Sequence, residues 1–285
     1  TSVQTGDRRS ISMKYRKDIE EYRAYLFRKE LSAGTEAIYI RQARLLLDFL
    51  EGRAITKEEM IAYKTYLSKK GFAASTLNLY IVAVNSYLKY AGYEACRVKT
   101  RRVQRRKSLE NVISMEEYNR MLAYAKESGR EKYYYIMKTL ALTGIRIGEL
   151  KFFTVEILNQ EMITVNNKGK IREVYLPEKL LRELRQYCRK AHIESGAIFK
   201  GKGSSQIGRI GVYKMLTHMA DALGIPRERV HPHSFRHLFA ITYMNRYGNI
   251  SELSDILGHS SLETTRIYAA TSIQEKRKKM EKLGL

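Results

Sequence analysis

The chain has 285 residues, enough for two domains that each bury a core of their own. Its 52 Lys and Arg against 30 Asp and Glu leave a formal net charge of +22, a balance suited to a polyanion such as nucleic acid. No apolar run approaches the roughly 18 residues of a membrane helix, and the first residues carry no secretory n-region and h-region. Cys96 and Cys188 alone exclude a disulfide framework and a thiolate metal site, so a soluble protein of a reducing, intracellular compartment is expected.

Residues 1–13, TSVQTGDRRSISM, read as a tag or the truncated edge of a longer chain, and the fold is taken from Lys14 onward. Residues 16–31 place Ile19, Tyr22 and Leu26 on one side at helical spacing. A second helix starts at Thr35 and carries Leu45, Leu46, Leu47, Phe49 and Leu50. Thr56 with Glu59 forms a capping box for a third, which ends at Gly71, and Ser75 caps a fourth, TLNLYIVAVNSYLKYAG. Short connections make residues 14–96 a compact helical bundle. The segment RVKTRRVQRRK, residues 97–107, then holds seven basic residues in eleven and no acid. Such a run is a solvated linker, assigned to 97–111, and a strap suited to a phosphate backbone through Arg101, Arg102, Arg105 and Arg106.

The second domain, 112–285, opens on a capping box of Ser114 and Glu117. Helices at 114–128 and 130–143 follow, up to a turn at Thr143-Gly144. FFTVEI, MITVN and IREVYLP read as three short strands arranged around NNKGK. Helices are then expected at 178–192, about 205–223, 233–247, 249–257 and 262–270, before a basic tail. The fold class is mainly α: a helical bundle followed by a mixed helical domain with a small three-stranded antiparallel sheet.

Several polar residues resist a packing explanation. Arg146 sits in the apolar LALTGIRIGEL with Glu149 three residues on, and Lys168 lies on a tight strand turn. HPHSFRHLFA concentrates His231, His233 and His237, half of the chain's six histidines, around Arg236. His259 follows a helix stop at Gly258, and Tyr268 lies nine residues beyond it. Each has a plain alternative: a surface ion pair for Arg146 and Glu149, a solvated turn lysine, a packed tyrosine. Three histidine nitrogens also suit zinc, against which stand Pro232 between the first two and the Arg236 guanidinium beside them. His237 adjoins Leu238 and Phe239 and reads as core; His231 reads as a helix-entry residue.

Together these segments resemble the tyrosine recombinases, the integrases of the phage and Xer type. LTGIRIGEL is similar to that family's first-arginine box, with Arg146 and its acidic partner Glu149. NNKGKIREVYLP resembles the turn that carries the catalytic lysine, at Lys168. HPHSFRHLFA resembles the H-x-x-R box, at His233 and Arg236. LGHSSLETTRIY resembles the final box, at His259 and the nucleophile Tyr268. The order is kept, with 26 residues from His233 to His259 and nine more to Tyr268.

The resemblance implies site-specific recombination, by an integrase or excisionase of a mobile element or, alternatively, by a Xer-like dimer-resolving recombinase or an invertase. A type IB topoisomerase uses related chemistry but forms no junction between two sites. It further implies a core-binding first domain that closes with the second as a clamp around double-stranded DNA bearing an inverted-repeat core site. A homotetramer on two sites, monomeric or dimeric when free, an accessory directionality factor and a prokaryotic nucleoid location complete the expectation, with no cofactor, metal or membrane. Helix 205–223, through Arg209 and Lys214, is expected at the major groove.

The chemistry explains the residue types. A phenol with a pKa near 10 is a poor nucleophile at neutral pH and needs a base or a positive field. Two guanidiniums, Arg146 and Arg236, can clamp the oxygens of a five-coordinate phosphorus and keep their charge. Lys168 is the expected proton donor to the departing 5′-oxygen, His233 the group that takes or returns the tyrosine proton, and His259 a hydrogen-bond donor to a phosphoryl oxygen. Glu149 orients Arg146 or His233.

Overall fold

The computed structural model describes residues 18–102, 111–167, 170–201, 205–259, 261–269 and 281. It divides into two compact units, Thr1–Arg106 and Lys107–Leu285.

In the first unit, residues 18–27 are helical, followed by α2 (Ala33–Leu50), α3 (Lys57–Lys69) and α4 (Ala74–Tyr90), with the first helix counted as α1. Leu77, Ile81, Val84 and Leu88 recur at spacings of four, three and four along α4 and are all buried, as one face of an amphipathic helix requires. They meet Ile40, Leu46 and Leu50 of α2 and Tyr22 of α1 in a single apolar cluster. Tyr22 packs edge-on to Tyr87 at 5.2 Å between ring centroids, and the Tyr87 hydroxyl donates to Asp18. The Thr56 hydroxyl caps α3 at Glu59 N, but the Glu59 carboxylate turns to Arg53 at 2.6 Å, so only half of the expected box forms. Ser75 does not cap α4; the helix begins at Ala74, after an Ala73 that offers no side-chain cap.

The basic run is anchored where it leaves this bundle. Asn85 donates to Val98 O at 2.8 Å and accepts from Val98 N at 3.0 Å. Asn78, two helical turns earlier on α4, does the same for Arg101 at 2.9 and 2.8 Å. Lys64 Nζ reaches Lys99 O at 2.6 Å, and Lys57 Nζ reaches Arg97 O. Each amide side chain offers a carboxamide in place of a neighbouring strand, satisfying one donor and one acceptor of the strap. The Arg101 and Arg102 side chains stay exposed. Arg105 and Arg106 lie outside the described residues.

The second unit contains α5 (Met115–Glu127), α6 (Glu131–Thr143), α7 (Glu178–Lys190), α8 (Arg209–Leu223), α9 (Pro232–Tyr247), α10 (Ile250–Leu257) and the short α11 (Leu262–Thr265). The expected capping box of α5 is complete: Ser114 Oγ accepts from Glu117 N at 3.1 Å, and Glu117 accepts from Ser114 N at 2.8 Å. Helix α6 packs on α5, α7 and α9 around Met121, Ile136, Leu140, Leu184 and Phe235.

The sheet has two strands among the described residues, not the expected three. β1 (Met162–Asn167) and β2 (Lys170–Tyr175) pair antiparallel, from Met162 opposite Tyr175 to Asn167 opposite Lys170. FFTVEI instead runs from the end of one 3₁₀ turn (Ile147–Phe152) into another (Val155–Ile157), touching residues 196–198 through a single bridge of Thr154 with Ala197. Its buried anchors explain the outcome. Within the segment only Phe153 is buried, three residues after the buried Leu150 that precedes it and thus at the repeat of a 3₁₀ turn, whereas Val155 and Ile157 are only half-buried. Two helices also differ: α8 starts at Arg209, not near 205, and helix 262–270 shortens to α11 followed by a 3₁₀ turn at Arg266–Ala269.

Candidate active site

Arg146 owes its position to Gly144, which ends α6 in the left-handed region at φ 59°. A β-carbon there would come within 2.7 Å of the Phe239 ring, so the close approach of α6 to α9 also requires glycine. Arg146 then adopts extended backbone and heads the 3₁₀ turn Ile147–Phe152. The Glu149 carboxylate closes that turn, accepting from Arg146 N at 2.8 Å and from Arg146 Nη1 at 3.2 Å.

The same carboxylate accepts from Arg172 Nη2 of β2 at 2.7 Å. Glu149 is 1% exposed. Burial pushes its acid up, but the Arg172 bond, the Arg146 backbone N–H and both guanidiniums outweigh it and hold the carboxyl below its ordinary range.

The second arginine lies across α9. Arg236 is 4% exposed and donates to Gly144 O at 2.6 Å and to Leu257 O at 2.5 Å. Arg146 Nη2 donates to Gly258 O at 3.2 Å, and Arg172 Nη1 to Ile256 O at 2.5 Å. Three guanidiniums therefore converge on the last carbonyls of α10, groups that a helix leaves unsatisfied and that carry the negative end of its dipole. Gly258, at φ 61°, ends that helix, and a β-carbon there would overlap the Arg172 side chain. Burial first, then Arg146 and Arg172, push the Arg236 guanidinium down to about 9, which leaves it a cation at neutral pH. Among the described residues no carboxylate forms an ion pair with it, and Arg172 Nε is buried without a hydrogen-bond partner. Three cations share one anion.

The histidines go to different places. His231 caps α9, its Nδ1 accepting from Ser234 N at 3.1 Å, with Pro232 in the first turn. His233 is exposed, and its pKa is lowered by partial burial, then by Arg236, His231, Arg146 and Arg209. His237 is not a core residue: its Nδ1 contacts the Tyr268 hydroxyl. His259 bonds Thr265 Oγ1 of α11 at 2.8 Å; burial, then Arg236, Arg146 and Arg172, push it down to about 4. In the tautomer whose Nδ1 accepts from the Thr265 hydroxyl, His259 carries its proton on Nε2 and can donate it outward.

Tyr268 lies in the 3₁₀ turn after α11, 8% exposed, with its ring packed on Ala240, Leu253 and Leu257. Burial pushes the phenol up to about 12, opposed by Arg236. Lys168, which falls between β1 and β2 in the sequence, lies outside the described residues.

Arg209 of α8 lies beside this cluster. Its guanidinium lies over Gly148, where a β-carbon would meet Nη2 at 2.7 Å, and its charge reaches His233. Lys214 is exposed farther along α8, beside Tyr213.

Two residues of the cluster escape a reading by motif. Arg172 follows the turn lysine and was legible from period-two alternation: it shares a face with the buried Val174 and Leu176, while Ile171 and Tyr175 are exposed. His237 lies four residues after His233, one turn along the same helix face. That spacing outweighs its apolar sequence neighbours Leu238 and Phe239.

The Phage integrase family profile matches residues 111–275, more than half of the chain, and that of the phage integrase N-terminal SAM-like domain matches residues 19–94. The chain belongs to the phage integrase family. It is a tyrosine recombinase, an enzyme that cleaves and rejoins DNA through a phosphotyrosine. Tyrosine recombinase XerA of Pyrococcus furiosus is 28% identical to the recombinase over 276 residues, spanning 94% of each chain. Tyrosine recombinase XerD of Listeria monocytogenes is 22% identical over 277 residues, spanning 88% of this chain and 92% of that protein. Among solved structures, the Tn1549 transposon integrase in complex with transposon right end DNA superposes with a TM-score of 0.73 at 16% identity, covering 96% of this chain and 99% of that one. A lambda integrase dimer bound to a COC′ core site gives 0.71 at 16% identity, covering 89% and 76%. At such identities the structural likeness is one of fold.

Proposed function

We propose that the recombinase acts on double-stranded DNA with Tyr268 as its nucleophile and the guanidinium cluster as its phosphate clamp. The observation that carries the reading is the imbalance of that cluster: Arg146, Arg172 and Arg236 converge with Glu149 as their one carboxylate. A buried cation without an anion is costly, and a phosphodiester supplies the missing charge. Arg146 and Arg236 hold the non-bridging oxygens, His233 and His259 donate hydrogen bonds to them, and Glu149 fixes Arg146. Tyr268 Oη attacks phosphorus as its proton passes to a histidine of α9, the 5′-oxygen leaves with a proton from Lys168, and a 3′-phosphotyrosine results. The ester keeps the bond energy, so rejoining needs neither ATP nor a metal ion.

The bundle before the strap grips the core site, with Arg101, Arg102, Arg105 and Arg106 along the backbone and Arg209 and Lys214 on the duplex near the cleft. The working assembly is a homotetramer on two inverted-repeat sites in the nucleoid, assisted by a directionality factor. Among the described residues no helix is long and apolar enough to cross a membrane. Integration and excision of a mobile element is the reading favoured by the fold shared with the Tn1549 and lambda integrases. Xer-like resolution is the second, favoured by the match with XerA over 94% of each chain.

A pool of nicked duplexes of randomised sequence tests the nucleophile, because the fragment released beyond a nick cannot return and the adduct accumulates. Protein-linked DNA recovered under denaturing conditions without added metal is expected from the wild type and absent from Tyr268→Phe. Adducts that persist in Tyr268→Phe overturn the assignment.

A further inference from the structure

We propose that His237 is the group that seats the Tyr268 hydroxyl and takes its proton during cleavage, a role the sequence alone assigns to His233. The inference rests on the reading of Tyr268 as nucleophile, and geometry separates the two histidines. Nδ1 of His237 lies in hydrogen-bond contact with the Tyr268 hydroxyl, with the rings 5.6 Å apart at 48°. His233 is exposed one turn earlier, among Arg146, Arg236 and Arg209, where a phosphoryl oxygen would sit. His237 is held by the same helix that carries Arg236, so the proton acceptor and one phosphate ligand are adjacent residues on one rigid element.

The proton balance is simple. In the tautomer with its proton on Nε2, neutral His237 accepts at Nδ1. As the bond from Tyr268 Oη to phosphorus forms, the phenol O–H breaks and its proton passes to Nδ1, giving an imidazolium. The bond from phosphorus to the 5′-oxygen breaks, and that oxygen receives a proton from Lys168. On rejoining, the 5′-hydroxyl attacks phosphorus, its proton goes to Lys168, and the imidazolium returns a proton to the departing Tyr268 oxygen.

The DNA-free state is held off by the same surroundings. Burial, then His233, His231 and Arg236 of the same helix, push His237 down to about 4, while burial pushes Tyr268 up to about 12. The imidazole of His259, on the neighbouring segment, also feels His237. The proton therefore stays on the phenol until a phosphate anion offsets the guanidinium charge and the forming ester bond acidifies the hydroxyl. A resting enzyme with a protonated nucleophile avoids stray cleavage.

The test uses the full chain and the nicked duplex recovered by the selection above. Adduct formation is timed for the wild type, His237→Ala, His237→Gln and Tyr268→Phe, with and without free imidazole, alongside thermal melts. His237→Ala is expected to slow by roughly 100- to 10,000-fold, the usual contribution of a positioned base. Imidazole should restore its rate in proportion to concentration, while His237→Gln stays slow and melts near the wild type. A substrate with sulfur in place of the bridging 5′-oxygen, whose departure needs no proton, should not rescue either variant. Wild-type rates in His237→Ala, with Tyr268→Phe inert, overturn the role of His237 and leave the nucleophile standing. A slow His237→Ala that imidazole does not rescue and that melts early shows a structural role and also overturns it. Adducts in Tyr268→Phe overturn the underlying reading instead.

Discussion

The strap at residues 97–102 and the guanidinium cluster around Glu149 both bring polar groups together, with opposite accounting. Along the strap, Asn78 and Asn85 each match one backbone donor and one acceptor, so the basic run is fixed without any charge being buried. In the cluster, Arg236 is buried on two carbonyls alone, Arg172 keeps a buried Nε without a partner, and one carboxylate serves two guanidiniums. The groups of the strap are satisfied from within; those of the cluster are left wanting an anion, which the proposed phosphate contact would supply. The difference separates structural from functional polarity without reference to any motif.

Breaking the cluster at its one anion should have the largest effect. Glu149→Ala leaves Arg146 and Arg172 without their shared counter-ion, beside Arg236, and should cost roughly 3–5 kcal/mol of stability, read from chemical denaturation. Arg236→Met removes a buried cation instead. Cleavage of the selected duplex should fall roughly 100- to 1,000-fold, as for other lost oxyanion donors. Stability should hold near the wild type, because the lost carbonyl bonds are offset by relief of a buried charge. A large loss of stability in Arg236→Met would show that the cluster is structural. On the strap, Asn85→Leu should cost roughly 1–3 kcal/mol through the unpaired Val98 groups, with catalysis of an already bound site unchanged.

Acid distinguishes the parts of the cluster by direction. His237 and His259 are each held at about 4, below the ordinary histidine value of 6.5, so the unfolded chain takes up protons first. Their share of stability is complete above 6.5 and is lost as pH falls from 6.5 toward 4. The Glu149 contribution is complete above its ordinary value of 4.5 and is lost only below it. Thermal melts should therefore decline in two stages on acidification. His237→Phe should reduce the first stage and leave the second; a single decline below 4.5 would remove the histidines from the account.

The helices were legible because apolar spacing and capping residues point the same way, as at α5 with Ser114, while at α4 apolar spacing alone carried the reading. The third strand was misread because alternating residue types in FFTVEI suggest a period of two, while the residues that reach the core, Leu150 and Phe153, keep a period of three. Burial decides between the two patterns, and burial is a tertiary property. The proposed site was read as residue types in order, from Arg146 to Tyr268. What spacing could not show is that all three guanidiniums meet at the end of α10, since that meeting depends on β2, α6 and α9 packing around one helix terminus. His237 was hidden by its apolar neighbours, although its distance from His233 along α9 already placed it on the same helix face.

The most direct measurement is peptide mapping of the covalent protein–DNA adduct by mass spectrometry after nuclease digestion. The account predicts a single modified peptide in which Tyr268 carries a 3′-linked nucleotide phosphate. A nucleotide on any other residue, or linked through its 5′-phosphate, would contradict it.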